Sequence, residues 1–277
     1  MAEEEKLVYY VSYGSNLRRE RLDIYINGGK LPSMLASAAA YPGCGNRAPP
    51  RAALNVRLPH RLRYRLESPT WGGGVCFLDY DEALTDRGVR VVSPSPSAAA
   101  AASASAAAAA AASERDAVAN AAAKENAAAA APALAWGRAW LVTASQFEEI
   151  VLQENAWRGG AVPPAFAAAF ARCHTLQANE TIEVPTGWYN VLLCLGEIDG
   201  VKLFTFSTTR DALRQRAALN HPSPAYTTVI LKGLKEMGAI DDKDEAVAYF
   251  AAHFHFENDA HRSAVLRNLN AIAASIF

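Results

Sequence analysis

The sequence predicts a mixed α/β (α+β) domain over residues 1–240 and an all-helical C-terminal extension over residues 241–277 that packs on it. Short apolar runs bounded by turn residues predict buried strands. Segments with apolar residues at helical spacing lie between these runs, and such alternation is typical of mixed folds. Beyond residue 240 the spacing of apolar residues is helical throughout.

The first predicted strand, Leu7–Val11, ends at a long polar turn, and a short helix is predicted over Arg18–Ile26. The turn reads Tyr13-Gly14-Ser15-Asn16-Leu17, which is more than a simple strand–helix junction needs. Backbone N–H groups ahead of a helix favour negative charge, so this turn could hold an anion. An ordinary turn in which Ser15 or Asn16 caps the helix explains the same residues.

The next predicted strands are Arg61–Leu66 and Val75–Leu78, the second of which follows Trp71-Gly72-Gly73-Gly74. Tyr41–Pro50 is dense in glycine and proline and predicts a loop. Arginines cluster over Arg47–Arg65, interleaved with proline and leucine. We interpret this cluster as a solvated loop and strand face rather than as a nucleic-acid surface.

Residues 93–132 form a low-complexity segment that contains Pro94, Pro96, scattered serines and the unbroken run Ala106–Ala112. Ordered loops longer than about 12–15 residues are uncommon. The sequence therefore predicts a disordered, alanine-rich insertion within the domain, with almost no side chains that could perform chemistry.

A strand is predicted over Ala135–Val142, and the sequence Thr143-Ala144-Ser145-Gln146 predicts a capping box that starts a helix. This helix places Glu154 on the same face as Phe147, Ile150 and Val151. Burial raises the pKa of a carboxyl group, and a carboxyl group so perturbed suits general acid/base catalysis. Alternatively, the helix ends before Glu154 and its side chain meets water, and periodicity alone favours this second interpretation.

Two further strands, Val184–Leu195 and Val201–Ser207, are predicted to form a hairpin through Gly196–Gly200. A turn over Asn220–Pro224 then precedes the helical part of the chain. The three predicted helices are Tyr226–Met237, Asp244–Phe254 and Asp259–Ile276.

The overall charge is nearly balanced, with 27 basic and 28 acidic residues and a formal net charge of -1, which predicts neither a nucleic-acid nor a membrane partner. The four cysteines form no C-x-x-C pair, and no histidine or carboxylate cluster has metal-ligand spacing. No phosphate-binding or dinucleotide motif occurs. The acidic N-terminus is unlike a signal peptide. We therefore predict a cytoplasmic protein with reduced thiols and without a metal or cofactor.

Five short motifs in chain order resemble those of the γ-glutamyl cyclotransferase-like family. Besides the Tyr13–Leu17 turn they are Thr70-Trp71-Gly72-Gly73-Gly74, the segment from Trp136-Gly137 to Gln153-Glu154, Gly187-Trp188-Tyr189, and Pro222-Ser223-Pro224-Ala225-Tyr226 with Gly233 seven residues later. The resemblance spans the alanine-rich segment, which is why we place that segment inside one domain.

The resemblance implies a small mixed β-barrel with flanking helices and an enzyme that forms 5-oxoproline from a small γ-glutamyl compound. It implies that Glu154 is the general acid/base and that the turn binds substrate through backbone N–H groups. The implied substrate-binding residues are Tyr13, Gly14, Ser15, Asn16, Leu17, Trp71, Gly72, Tyr189 and Tyr226. Together with the helix-face pattern, the resemblance favours a buried Glu154.

Two other functions remain open at the level of sequence. The chain could be a non-catalytic module that binds a small molecule or a protein on the same fold. A hydrolase dependent on Cys173 has only the neighbouring His174 in its support, and adjacent residues rarely face each other.

Overall fold

The protein is described by a computed structural model that covers residues 5–80, 88–92, 134–184, 186–215 and 219–277. The alanine-rich segment, residues 93–132, lies outside the described residues, so its expected disorder stays a prediction. Within the described residues the fold is mixed α/β, as the sequence predicts.

Most strands join one mixed sheet of seven, in the order β5-β2-β6-β1-β9-β8-β7. The first strand lies at its centre, where it pairs antiparallel with β6 and parallel with β9. The strands are β1 Leu7–Ser12, β2 Ala52–Leu58, β3 Arg61–Arg65, β4 Val75–Asp79, β5 Arg90–Val92, β6 Ala135–Thr143, β7 Thr181–Glu183, β8 Val191–Ile198 and β9 Val201–Ser207.

This sheet is open, so the β-barrel that the resemblance implies is not formed by the described residues. A barrel needs its two edge strands to pair, but β5 and β7 are three residues each and stand at opposite ends of the order. Strands β3 and β4 form a separate two-stranded sheet. Side chains join it to the large sheet: Ser207 Oγ donates to the Leu78 carbonyl at 2.7 Å.

Seven α-helices and one short 3-10 turn, Ser15–Leu17, flank the sheets in the described part of the chain. The capping box is present as predicted, with Thr143 accepting from the Gln146 N–H and Gln146 accepting from the Thr143 N–H. The helices are α1 Arg19–Asn27, α2 Ala144–Glu154, α3 Pro164–Cys173, α4 Arg210–Arg214, α5 Pro224–Glu236, α6 Lys243–His253 and α7 Asp259–Ala274.

One predicted strand is shorter than its apolar pattern suggests. Val184–Leu195 was expected to be extended throughout, yet β8 begins only at Val191. The Asn155 side chain binds both the N–H and the carbonyl of Tyr189, at 2.9 and 3.0 Å, and holds the preceding residues in a turn. Gly187 has φ +87, and a Cβ there would lie 2.1 Å from Asn155 Oδ1, so this turn requires glycine.

Helices α6 and α7 share the apolar core of the preceding residues. The Tyr249 hydroxyl accepts a hydrogen bond from the Trp136 N–H at 3.2 Å. His253 Nδ1 accepts one from the Leu62 N–H at 3.3 Å, which joins α6 to β3. These bonds between α6 side chains and distant backbone groups, together with the shared core, make the helices after residue 240 part of the same packed structure.

His253 should make the protein less stable in mild acid. Burial, with Arg61, Arg57 and Arg63 nearby, lowers the pKa of His253 to about 3. The unfolded chain takes up this proton below about pH 6.5 whereas the folded chain does not, so the free energy of unfolding falls as the pH drops from about 6.5 towards 3. The contribution is about 2 kcal/mol between pH 7.5 and 5.

Urea unfolding at pH 7.5 and pH 5 measures this effect in the wild type and in His253→Asn. Asparagine keeps an acceptor for the Leu62 N–H but does not titrate. We expect the variant to lose less stability than the wild type over this interval. An identical loss in the two proteins would contradict the assignment.

Candidate functional site

A cavity of about 340 Å³ lies where the carboxyl end of β1 meets the end of α2 and the start of α5. The segments before β4 and β8 complete its wall. It is lined by eight of the ten residues that the sequence predicts for catalysis or substrate binding, although these residues come from distant parts of the chain. They are Tyr13, Gly14, Ser15, Asn16, Trp71, Glu154, Tyr189 and Tyr226.

The other two predicted binding residues, Leu17 and Gly72, do not line this cavity. Leu17 is fully buried, and its N–H donates to the Gly14 carbonyl at 3.1 Å. The Gly72 N–H donates to the Ser68 carbonyl at 2.8 Å. Both backbone donors are therefore used to shape the turns beside the cavity rather than exposed to a ligand.

Long-range bonds fix the Tyr13–Leu17 turn. Trp140 Nε1, from the neighbouring strand β6, donates to the Asn16 carbonyl at 3.0 Å and to Ser12 Oγ at 3.1 Å. Among the described residues, no group accepts from the N–H groups of Ser15 or Asn16. The turn therefore presents two backbone donors that remain available at the cavity.

Glu154 is the last residue of α2, so the helix does not end before it. Its side chain is partly buried, and Oε1 accepts a hydrogen bond from Asn16 Nδ2 at 2.9 Å. The same Asn16 nitrogen donates to the Tyr10 hydroxyl at 2.9 Å. The carboxyl group is therefore held against the polar turn, inside the cavity, by a residue 138 positions away in the chain.

Three of the tyrosines that line the cavity, and Trp71, are held by specific contacts. The Tyr13 hydroxyl donates to the Phe206 carbonyl at 2.6 Å, and the Tyr189 hydroxyl donates to the Cys76 carbonyl at 2.9 Å. The Tyr226 ring stacks on Trp71 with centroids 5.6 Å apart. Burial raises the pKa of all three tyrosines well above the usual value, so they remain neutral.

Arg21, which was not among the residues predicted from the sequence, also lines the cavity and is only 1% exposed. Its Nη2 donates to the hydroxyl of Tyr25 and, at 3.1 Å, to that of Tyr41. Burial acts to lower the pKa of Arg21, but Tyr25, Tyr41 and Glu154 raise it by more, so the group stays charged. The sequence does contain a signal that Arg21 is buried, because this residue shares the apolar stripe of α1 with Leu22 and Tyr25.

The cysteines are poor candidates for catalysis. All four are free and buried. Burial raises the pKa of Cys173 to about 11, which keeps the thiol protonated near neutral pH. In the described part of the chain, no group of three histidine, cysteine, aspartate or glutamate side chains could hold a metal ion.

No helix in the described ranges is long and apolar enough to cross a membrane.

Comparisons with known proteins give two similarities. No protein family model matches the chain. Histone deacetylase 5 of Arabidopsis thaliana is 24% identical over 249 residues, which cover 87% of this chain and 30% of that protein. The chain thus spans less than a third of the length of this relative. A solved structure named gamma-glutamyl cyclotransferase aligns over 95% of this chain and 99% of its own, at 13% identity and a TM-score of 0.39.

Proposed function

We propose that this chain is a γ-glutamyl cyclotransferase-type enzyme. In the proposed reaction the α-amine of a γ-glutamyl group attacks its own γ-amide carbonyl. A new C–N bond closes the five-membered ring of 5-oxoproline, the original amide C–N bond breaks, and the amine leaves with a proton. The observation that carries this proposal is the hydrogen bond that holds the Glu154 carboxyl group against Asn16 within a cavity.

The first task is to remove a proton from the α-ammonium group so that its nitrogen can attack. A free α-amino group titrates at about 7.7–8.0, so a modest base at the right position is sufficient. Glu154 takes this role, since only one of its carboxyl oxygens is engaged by Asn16. Holding the amine against the carbonyl supplies most of the acceleration, because effective molarities of intramolecular reactions reach about 10⁵–10⁸ M.

The second task is to stabilise the negative charge on the carbonyl oxygen and to protonate the leaving nitrogen. The Ser15 and Asn16 N–H groups are the available donors for the oxyanion. Glu154 then returns the proton that it has taken to the leaving nitrogen, which makes it base and acid in turn. The second proton of the new ring nitrogen passes to the released amine, which departs as an ammonium ion. The reaction needs no metal or cofactor. The neutral tyrosines that line the cavity exclude water from the reacting atoms.

A panel assay tests the proposal. The full chain is incubated with γ-glutamyl amino acids, γ-glutamyl amines and glutathione, and 5-oxoproline is measured by mass spectrometry. We expect release of 5-oxoproline from at least one class of compound, in equal amount to the free amine. Binding without turnover across the panel would overturn the proposal and would favour a non-catalytic binding module.

A further inference from the structure

The cavity contains buried polar atoms that the protein itself does not satisfy. Nε and Nη1 of Arg21 are buried and have no hydrogen-bond partner among the described residues, and the same is true of Asn16 Oδ1. Buried polar groups are nearly always hydrogen-bonded, so each exception calls for an explanation. Here the exceptions are donors and an acceptor at a single cavity.

The charge of Arg21 also lacks a direct ion pair, although Glu154 at the same cavity is close enough to raise the pKa of this group. None of the ion pairs among the described residues includes this guanidinium. Instead, its Cζ lies 4.2 Å from the ring centroid of Tyr25, 4.7 Å from that of Tyr41 and 5.7 Å from that of Trp71. Aromatic faces attract a cation and orient it, but they carry no net charge. A buried cation without a direct carboxylate partner is costly, and a ligand carboxylate in contact with the guanidinium would offset that cost.

We propose that Arg21 binds a carboxylate of the ligand and that Asn16 Oδ1, together with Glu154, receives an ammonium group beside it. The cavity then recognises a free α-amino-acid head group. This inference rests on the proposed function for its choice of substrate, and it names the end of the γ-glutamyl compound that the site selects. The planar guanidinium suits this task because its N–H groups match the two oxygens of a carboxylate.

The proposal also gives Arg21 and the backbone N–H groups of the turn different anions to bind. If Arg21 takes the α-carboxylate, the Ser15 and Asn16 N–H groups are left for the oxyanion. The amine is then delivered to the side of the cavity where Asn16 Nδ2 holds Glu154. A substrate whose glutamyl α-carboxylate has been converted into a carboxamide loses the charge that Arg21 requires, whereas its reacting atoms are unchanged.

The first experiment compares γ-glutamylalanine with its glutamyl α-carboxamide in the wild type, Arg21→Met, Arg21→Lys and Arg158→Met. Arg158 also lines the cavity, but it is exposed, and its Nη1 already donates to the carbonyls of Gln153 and Trp157. We expect the wild type and Arg158→Met to prefer the free acid by about 10²-fold in kcat/KM, which is the usual scale for a lost charge-assisted contact in a buried site. Arg21→Met should reduce this preference to less than about 5-fold, and Arg21→Lys should give an intermediate value.

The ratio of kcat/KM for the free acid to that for the carboxamide separates the two possible roles of Arg21. A merely structural role would lower both kcat/KM values together and leave the preference for the free acid unchanged. That result, or an equal rate for the acid and the carboxamide in the wild type, would overturn the inference while leaving the cyclotransferase proposal intact.

The second experiment needs no turnover. Thermal shifts of the full chain are measured with 5-oxoproline, with 5-oxoprolinamide and with 2-pyrrolidinone, which lacks the carboxylate. We expect 5-oxoproline alone to stabilise the wild type, and the effect to disappear in Arg21→Met. If Arg21→Met does not fold, the weaker shift expected in Arg21→Lys takes its place. Selective stabilisation without any turnover would support the inference and reject the proposed reaction, and equal shifts with the three compounds would overturn the inference.

Discussion

Glu154→Gln is expected to lower 5-oxoproline formation by about 10³-fold or more, because general acid/base groups typically contribute about 10²–10⁴-fold. Here one side chain performs both proton transfers, so the loss should lie towards the upper end. The amide is the same size as the carboxyl group, and its oxygen can still accept from Asn16 Nδ2, the contact made by Glu154 Oε1. The substitution therefore removes the proton-transfer capacity without removing the contact that shapes the cavity.

Glu149→Gln is the matched control on the same helix. Glu149 lies outside the cavity lining, and its carboxylate accepts from the Gly45 N–H at 3.1 and 3.0 Å. Glutamine preserves an acceptor there, and we expect activity within about 2-fold of the wild type, as for most surface changes. Equal unfolding temperatures for the two variants would show that the fold is intact. Full activity in Glu154→Gln would refute the proposed mechanism.

Gly233→Ala is expected to destabilise the protein by about 2 kcal/mol, within the usual range for overpacking. Gly233 lies on α5, at the point where this helix packs against the Tyr13–Leu17 turn. A Cβ there would lie 2.7 Å from the Arg18 nitrogen and 2.8 Å from Leu17 Cβ. Alanine is the better helix former by about 1 kcal/mol, so a net loss can only be steric. Displacement of the turn should also lower kcat/KM, because Asn16 would no longer hold Glu154 correctly.

Lys232→Ala provides the comparison, since Lys232 is an exposed neighbour on the same helix. We expect its unfolding free energy, from urea titration, to stay within about 0.5 kcal/mol of the wild type. A Gly233→Ala protein as stable as this control would mean that α5 and the turn are not in close contact.

Elements whose pattern is strong in the local sequence were predictable. The strand that begins at Leu7 lies at the centre of the sheet with neighbours on both edges, and a continuous apolar run is typical of such a position. Strand β2, Ala52–Leu58, gave no such signal, because most of it is exposed or only partly buried and its extension depends on pairing with β6. Helix α3 was missed although Phe166, Phe170 and Cys173 form its buried face.

The residues of the candidate site were likewise predictable only where a local pattern marks them. Placing Glu154 on the apolar face of its helix needed only the capping box and a period of 3.6 residues. Arg21 was overlooked because a charged residue on a short helix is usually solvated. Its place on the apolar stripe of α1 is the one local signal, and the enclosure by the rings of Tyr25, Tyr41 and Trp71 is visible only in the fold.

The sequence by itself therefore determined the central strand, the polar turn after it, and the helix that ends at Glu154. These features depend on hydrogen bonds and apolar spacing within a few residues of one another. Only the tertiary structure decided that the sheet stays open, that Asn16 meets Glu154, and that aromatic rings enclose Arg21 without a direct ion pair. Each of these depends on contacts between segments that are distant in the chain, and such contacts follow from the packing of the whole core rather than from any local pattern.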